Sequence, residues 1–152
     1  MTEPILLSVE DRLARITLNR PERLNAFDAA MAEAWERVVT EVAGRDDVGA
    51  VLLQGAGPAF CAGGDVAAMA MSMTSGTQLE ELAHTINQGL VALTDSAIPV
   101  VAAVHGATAG GGLGVFLCSD YAVVGESARI GSRYANVGLT PDLSVTAQLA
   151  RA

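Results

Sequence analysis

The chain has no lysine. All nine of its basic residues are arginine, and seventeen acidic residues outnumber them, leaving a formal charge of −8 and a sequence pI near 4.5. A nucleic-acid ligand calls for a cationic footprint against its phosphates, and an anionic membrane surface asks for the same; neither partner is expected. Cysteine is scarce as well. Cys61 and Cys118 stand alone, without a CxxC pair or clustered histidines, so neither a disulfide framework nor a metal site is expected. Aromatics make up only 4% of the residues, which leaves Ala, Val, Leu and Ile to build most of the core. The first residues, MTEPILLSVEDR, lack a basic segment followed by a long apolar run; no signal peptide is read there, and the cytoplasm is the expected compartment. One stretch, from Ser96 to Cys118, carries no formal charge and is long enough to cross a bilayer. Pro99 and five glycines interrupt it and Asp95 and Asp120 flank it, so it reads as a buried strand, a turn and a buried helix.

What is present is one domain's worth of chain: 152 residues, 51% of them apolar. Ile5–Val9 and Leu13–Leu18 read as strands around a polar turn, and 19–25 as a polar loop. Asp28 is suited to cap a helix over 29–43, whose Met31, Trp35, Val38 and Val42 share a face and which Gly44 stops. A strand over Ala50–Gln54, buried on both faces, a glycine-rich loop over 55–64 and a short helix from about Asp65 follow. Residues 70–77 read as a mobile loop, 78–94 as a helix, Val100–Val104 and Tyr121–Val124 as strands. Strand, glycine turn and helix recur in that order, which predicts an α/β fold with parallel strands. TPDLSVTAQLARA reads as a helix opening near Pro141, and the expectation is that the chain is truncated inside it.

Two glycine-rich turns are candidates for chemistry. In AFCAGGDV, residues 59–66, a buried strand leads through Gly63-Gly64 into a helix start. In HGATAGGGLG, residues 105–114, Gly110-Gly111-Gly112 falls where the next helix begins. Adjacent glycines let main chain approach a ligand, and N–H groups at a helix start favour negative charge developing on a carbonyl oxygen. A dinucleotide module is the competing idea, but GxGxxG is missing and no lysine is available for a P-loop. His84 and His105 read as structural, Asp120 as fixing a turn, Glu80 and Glu81 as surface residues, and Trp35 with Met69, Met71 and Met73 as core and lid packing.

Together with LNRPERLNAFD at 18–28, PVVAAVHGATAGGGLG, the CSD after it and VGLTPD at 137–142, these segments resemble the crotonase (enoyl-CoA hydratase/isomerase) superfamily in order and spacing along most of the chain. The resemblance implies a spiral of repeated ββα units over 1–152, without the C-terminal helical region that builds trimers or hexamers in the full-length family. It implies an acyl-CoA substrate, with CoA as part of the substrate and no separate cofactor. Carried over by position, the N–H groups of Gly64 and Gly111 would form the oxyanion hole. Arg23, Leu24, Ala26, Ala62, Asp65, Val66 and Ala67 would line the CoA, and Tyr134 would meet the substrate. The two glutamates of a hydratase of this family would fall at Gly114 and Tyr134; both are replaced. Asp142 falls where some isomerases of the family carry their acid/base. An enoyl-CoA isomerase using Asp142 is therefore expected, with enoyl-CoA hydratase and a non-catalytic acyl-CoA binder as alternatives. The competing role for Asp142 is electrostatic, as the second residue of a helix opened by Pro141.

Overall fold

The computed structural model describes residues 3–72 and 75–151. Strands β1 (Ile5–Glu10) and β2 (Leu13–Leu18) form an antiparallel hairpin, with Asp11 and Arg12 both at positive φ in its turn. β3 (Ala50–Gly55), β4 (Val100–Val104) and β6 (Tyr121–Val124) extend β2 in parallel, giving a five-stranded sheet in the order β1-β2-β3-β4-β6. Alternation along these strands turns Ala14, Ile16, Leu18, Val51, Leu53, Val100, Ala102 and Val104 to one side, where all are buried. The other side is only half-buried: Gln54 donates to Thr17 across it. The expectation that the Ala50–Gln54 strand is buried on both faces is corrected here, because helices cover one face only.

Helix α1 (Ala29–Ala43) has the predicted bounds. The Asp28 carboxylate accepts from Met31 N, and Met31, Trp35, Val38 and Val42 all face the core. Gly44 ends it at φ −90°, so the stop does not use the left-handed conformation. Helix α3 (Gly76–Asp95) packs on α1, and the joint is specific: Trp35 Nε1 donates to the Ile86 carbonyl at 3.1 Å, and the Trp35 ring lies against Gly89. Three of the six aromatics sit in this core. Trp35, Phe27 and Phe60 are its largest fully buried side chains, and Phe27 meets Trp35 edge-on with centroids 6.1 Å apart.

A second, shorter layer makes the fold a spiral. After each long parallel strand the chain turns and lays down a short one: residues 60–61 after β3, β5 (Ala107–Ala109) after β4, and β7 (Arg129–Gly131) after β6. β5 pairs with β7, and Cys61 bridges to Thr108 on the other side. Each strand pair is then followed by a helical segment: α2 (Val66–Ser72) and α3, α4 (Gly111–Leu117), and the 3-10 turn Tyr134–Val137. The predicted uncharged stretch is resolved as β4, β5 and α4. No helix among the described residues is long and apolar enough to cross a membrane.

Two further expectations fail. Residues 70–72 close α2 and Gly76 opens α3, so the segment read as a mobile loop is largely helical; Met73 and Thr74 lie outside the described residues. The helix placed from Pro141 is only α5, Val145–Leu149. Leu143 and Ser144 sit at φ 48° and 61°, and this left-handed step separates Pro141 and Asp142 from the helix. Asp142 is thereby not a helix-start residue, and its electrostatic explanation falls away.

Candidate active site

The spiral brings the two glycine turns together by hydrogen bonding. Phe60 N donates to His105 O (2.8 Å), Cys61 N to Ala107 O (3.1 Å) and Ala109 N to Cys61 O (3.0 Å). The zipper ends at Gly63, whose φ of +101° suits glycine alone; a methyl there would lie 2.7 Å from Ala109 O and 3.1 Å from Gly111 N. The next residue, Gly64, lies in a one-residue parallel bridge with Phe27, made by Phe27 N to Gly63 O (2.7 Å) and Asp65 N to Phe27 O (2.9 Å). Alternation along the bridge turns the N–H of Gly64 the opposite way. Gly111 is the first residue of α4, where an N–H has no intrahelical acceptor. No hydrogen bond among the described residues uses the N–H of either glycine.

Both glycines line a cavity of about 350 Å³. Its floor is Phe27, Ala62 and Gly63; one wall is Val66 and Met69 of α2 with Leu79, Glu80, Leu82, Ala83 and Ile86 of α3; the opposite wall is Tyr134, Val137, Leu139, Thr140, Asp142 and Leu143. An apolar cavity with a few converging polar groups is the usual form of a small-molecule site. Asp142 and Tyr134 form one unit: the Tyr134 hydroxyl donates to Asp142 Oδ1 at 2.6 Å. Burial, then the hydrogen bond to Asp142, raises the Tyr134 phenol above its ordinary range, so it remains a protonated donor at neutral pH. Leu143 also caps the start of α4. A methyl on Gly114 would lie 2.6 Å from its carbonyl oxygen, and one on Gly111 2.9 Å from its Cδ1.

Of the residues carried over from the family pattern, Gly64, Gly111, Ala62, Val66, Tyr134 and Asp142 meet at this cavity. Arg23, Leu24 and Ala67 are exposed outside it, and Leu24 O accepts from Ala62 N, which places that surface alongside the floor. Ala26 is buried, its carbonyl bonded to the Arg20 guanidinium. Asp65 is buried too. It caps α2 by accepting from Ala68 N (3.0 Å) and pairs with Arg20 (3.3 Å), which also reaches Asp28 at 2.9 Å. Its carboxylate therefore fixes the loop and does not face the cavity. The Ala68 N–H first, and then Arg20, hold it below the usual carboxylate range.

Several contributors escaped the sequence reading. Asn25, fully buried at φ 56°, donates to the carbonyls of Ala56 (2.9 Å), Ala59 (2.8 Å) and Phe60 (3.1 Å) and accepts from Arg20 N, pinning the 19–28 loop on the first glycine turn. Glu80 is exposed, as its reading as a surface residue expects, and it also borders the cavity beside Leu79 and Ala83 of α3. The signal was available: positions 76, 79, 80, 83 and 86 repeat with helical spacing, and only 80 is charged. Met69 lines the cavity, Met71 is 89% exposed, and Met73 lies outside the described residues. Asp120 fixes a turn as expected, accepting from Val100 N at 2.8 Å, and His105 bonds the Gly57 carbonyl.

A ββα spiral with two glycine N–H groups that are unpaired among the described residues and meet at one cavity defines the class: a crotonase fold. Comparison with known proteins agrees. Residues 8–152 match the enoyl-CoA hydratase/isomerase family, and the chain belongs to it. It is 36% identical over 150 residues to a Mycobacterium tuberculosis protein assigned as an enoyl-CoA hydratase, EchA14, covering 99% of this chain and 58% of that one. It is 34% identical over 156 residues to the 1,2-epoxyphenylacetyl-CoA isomerase of Escherichia coli, again covering 99% and 58%. Among solved structures it resembles a Thermobifida fusca protein assigned as an enoyl-CoA hydratase and solved with acetoacetyl-CoA: TM-score 0.85, 26% identity, 98% of this chain and 61% of the other. The chain thus spans somewhat more than half the length of the relatives it matches.

Proposed function

We propose that this site isomerises enoyl-CoA thioesters, with Gly64 and Gly111 holding the thioester oxygen and Asp142 moving the proton. The carrying observation is that Asp142 lines the same cavity as both glycines with its Oδ1 engaged by Tyr134, while Gly114 is closed off by Leu143; Glu80 of α3 is the other carboxylate of the lining. Asp142 takes a proton from C2 of a 3-enoyl thioester. The C–H electron pair becomes the C1–C2 double bond of a dienolate, and the carbonyl oxygen carries the charge between the two N–H donors. The protonated Asp142 returns the proton to C4, and the double bond moves to C2–C3. No metal or redox group is required; CoA belongs to the substrate. Arg23, Leu24 and Ala67 form the surface along which the CoA lies, leading to Ala62 on the cavity floor. On the same reading the whole protein assembles as a trimer or hexamer in the cytoplasm, as the family pattern implies.

A second reading, enoyl-CoA hydratase, is favoured by the name of the Mycobacterium tuberculosis relative. It needs Asp142 to activate a water by itself. The discriminating experiment supplies 3-enoyl-CoA and 2-enoyl-CoA separately to the chain and to Asp142→Asn. Isomerisation of the first, lost in the variant, supports the proposal. Hydration of the second without isomerisation of the first replaces it, and acyl-CoA binding with no turnover of either points to a non-catalytic binder.

A further inference from the structure

The family pattern put a glutamate's position at Tyr134 and left the tyrosine as a substrate contact. Its hydroxyl has a different engagement. Tyr134 opens the 3-10 turn Tyr134–Val137, and Gly138 ends that turn at φ 73°. Leu139 N then donates to Tyr134 O at 3.1 Å. This closed loop folds residues 139–142 back over the ring, and Asp142 Oδ1 arrives 2.6 Å from the phenol oxygen. The ring is 5% exposed and packs in a small cluster with Leu113 and Val145, so it is held independently of the carboxylate. Asp142 itself is exposed toward the cavity and pairs with no arginine among the described residues.

An exposed carboxylate just ahead of a left-handed step keeps its rotational freedom unless something engages one oxygen. The only side chain doing so among the described residues is Tyr134. We propose that Tyr134 is a positioning residue: its hydroxyl holds Asp142 Oδ1, so that Oδ2 is the oxygen presented to the acyl chain. The phenol keeps its proton throughout and enters no bond-making step. The inference rests on the isomerase reading above and assigns the geometry of its base. A base held in one orientation gains rate in the chemical step and little in substrate binding.

The test is Tyr134→Phe, which keeps the buried ring and removes only the hydroxyl, measured beside Asp142→Asn and the double variant. Two reactions are followed: isomerisation of a 3-enoyl-CoA, and exchange of the C2 protons of a saturated acyl-CoA into heavy water. Tyr134→Phe is expected to lower kcat for both about tenfold or more, with KM within about twofold. In the Asp142→Asn background the same change is expected to have no further effect, since the two side chains act as one unit. A Tyr134→Phe protein with wild-type kcat, a loss carried in KM, or an equal further loss in the double variant overturns the proposal and leaves the isomerase reading standing. Failure of the wild-type chain in both reactions overturns the isomerase reading and the positioning role with it. A measurement independent of the variant's folding is also available, because Tyr121 and Tyr134 are the only tyrosines. In Tyr121→Phe protein labelled with 3-fluorotyrosine, the fluorine resonance is expected to move on Asp142→Asn. An unmoved resonance overturns the hydrogen bond itself.

Discussion

The main-chain oxygen of Leu143 stands 2.6 Å from where a side chain on Gly114 would begin. Position 114 is therefore a filled contact between α4 and the segment carrying Asp142, and the glutamate of a two-glutamate hydratase has no place there without moving that segment.

Gly114→Glu is expected to leave hydration of 2-enoyl-CoA at background and to destabilise the chain by about 2 kcal/mol, in the range for overpacking a filled site. Urea unfolding and a hydration assay check this; a folded, hydrating variant would show that Leu143 yields.

Gly63→Ala tests the contact between the two glycine turns. Its φ of +101° and the nearby Ala109 O and Gly111 N leave no unstrained position for a methyl. Relief requires the turns to separate, which misplaces one donor of the pair. A fall in isomerisation of about 10²-fold is expected, the scale of losing one oxyanion donor. Steady-state kinetics read it directly, with circular dichroism confirming the fold.

Asn25→Ala removes the donor shared by three carbonyls and the acceptor of Arg20 N. Buried polar groups left without partners cost roughly 1–3 kcal/mol each, and partial relaxation brings the expected loss to about 3 kcal/mol. Chemical denaturation gives the number. A loss under about 0.5 kcal/mol, the level of an ordinary surface change, would contradict the assigned role.

Asp65 sets an acid limb. Its folded pKa lies below the ordinary carboxylate value, chiefly through the Ala68 N–H and next through Arg20. A depressed carboxylate contributes stability that is present above its unfolded pKa, roughly 4, and lost as pH falls through the folded value. The stability difference between wild type and Asp65→Ala is expected to be flat from pH 5 to 7 and to shrink below about pH 4. Denaturation midpoints across that range decide it; a difference unchanged at pH 3 would exclude this linkage.

Both cysteines are buried, and burial pushes each thiol up to about 12. Neither is expected to react with a thiol reagent at pH 8 faster than the chain unfolds. Stoichiometric labelling of the native protein within seconds would show the core to be open.

Much of this architecture was legible in the chain because it is locally encoded. Asp28, Met31, Trp35 and Val42 specify α1 through a cap and a 3.6-residue period. The two glycine turns announce themselves where strands give way to helices. Their shared order with LNRPERLNAFD and VGLTPD identified the family, since that pattern combines several separated segments. The C-terminal segment was misread: Pro141 and Asp142 look like a helix start, and the left-handed step at Leu143 and Ser144 has no composition signal, neither residue being glycine or asparagine.

The partnerships of the site arise only when distant segments meet. Asn25 is an ordinary loop residue until the first glycine turn closes over it. Glu80 is an exposed helix residue, and only the placement of α3 makes it a border of the cavity. Gly114 could be a vacancy or a contact, and the carbonyl of Leu143 decides that it is a contact. The sequence alone marked the two glycine turns whose main chain could approach a ligand, because glycine and helix starts are local properties. Tertiary structure decided that Asp142 joins both glycines at one cavity and what holds its carboxylate, because the hydrogen bond from Tyr134 to Asp142 depends on the path of the loop between them.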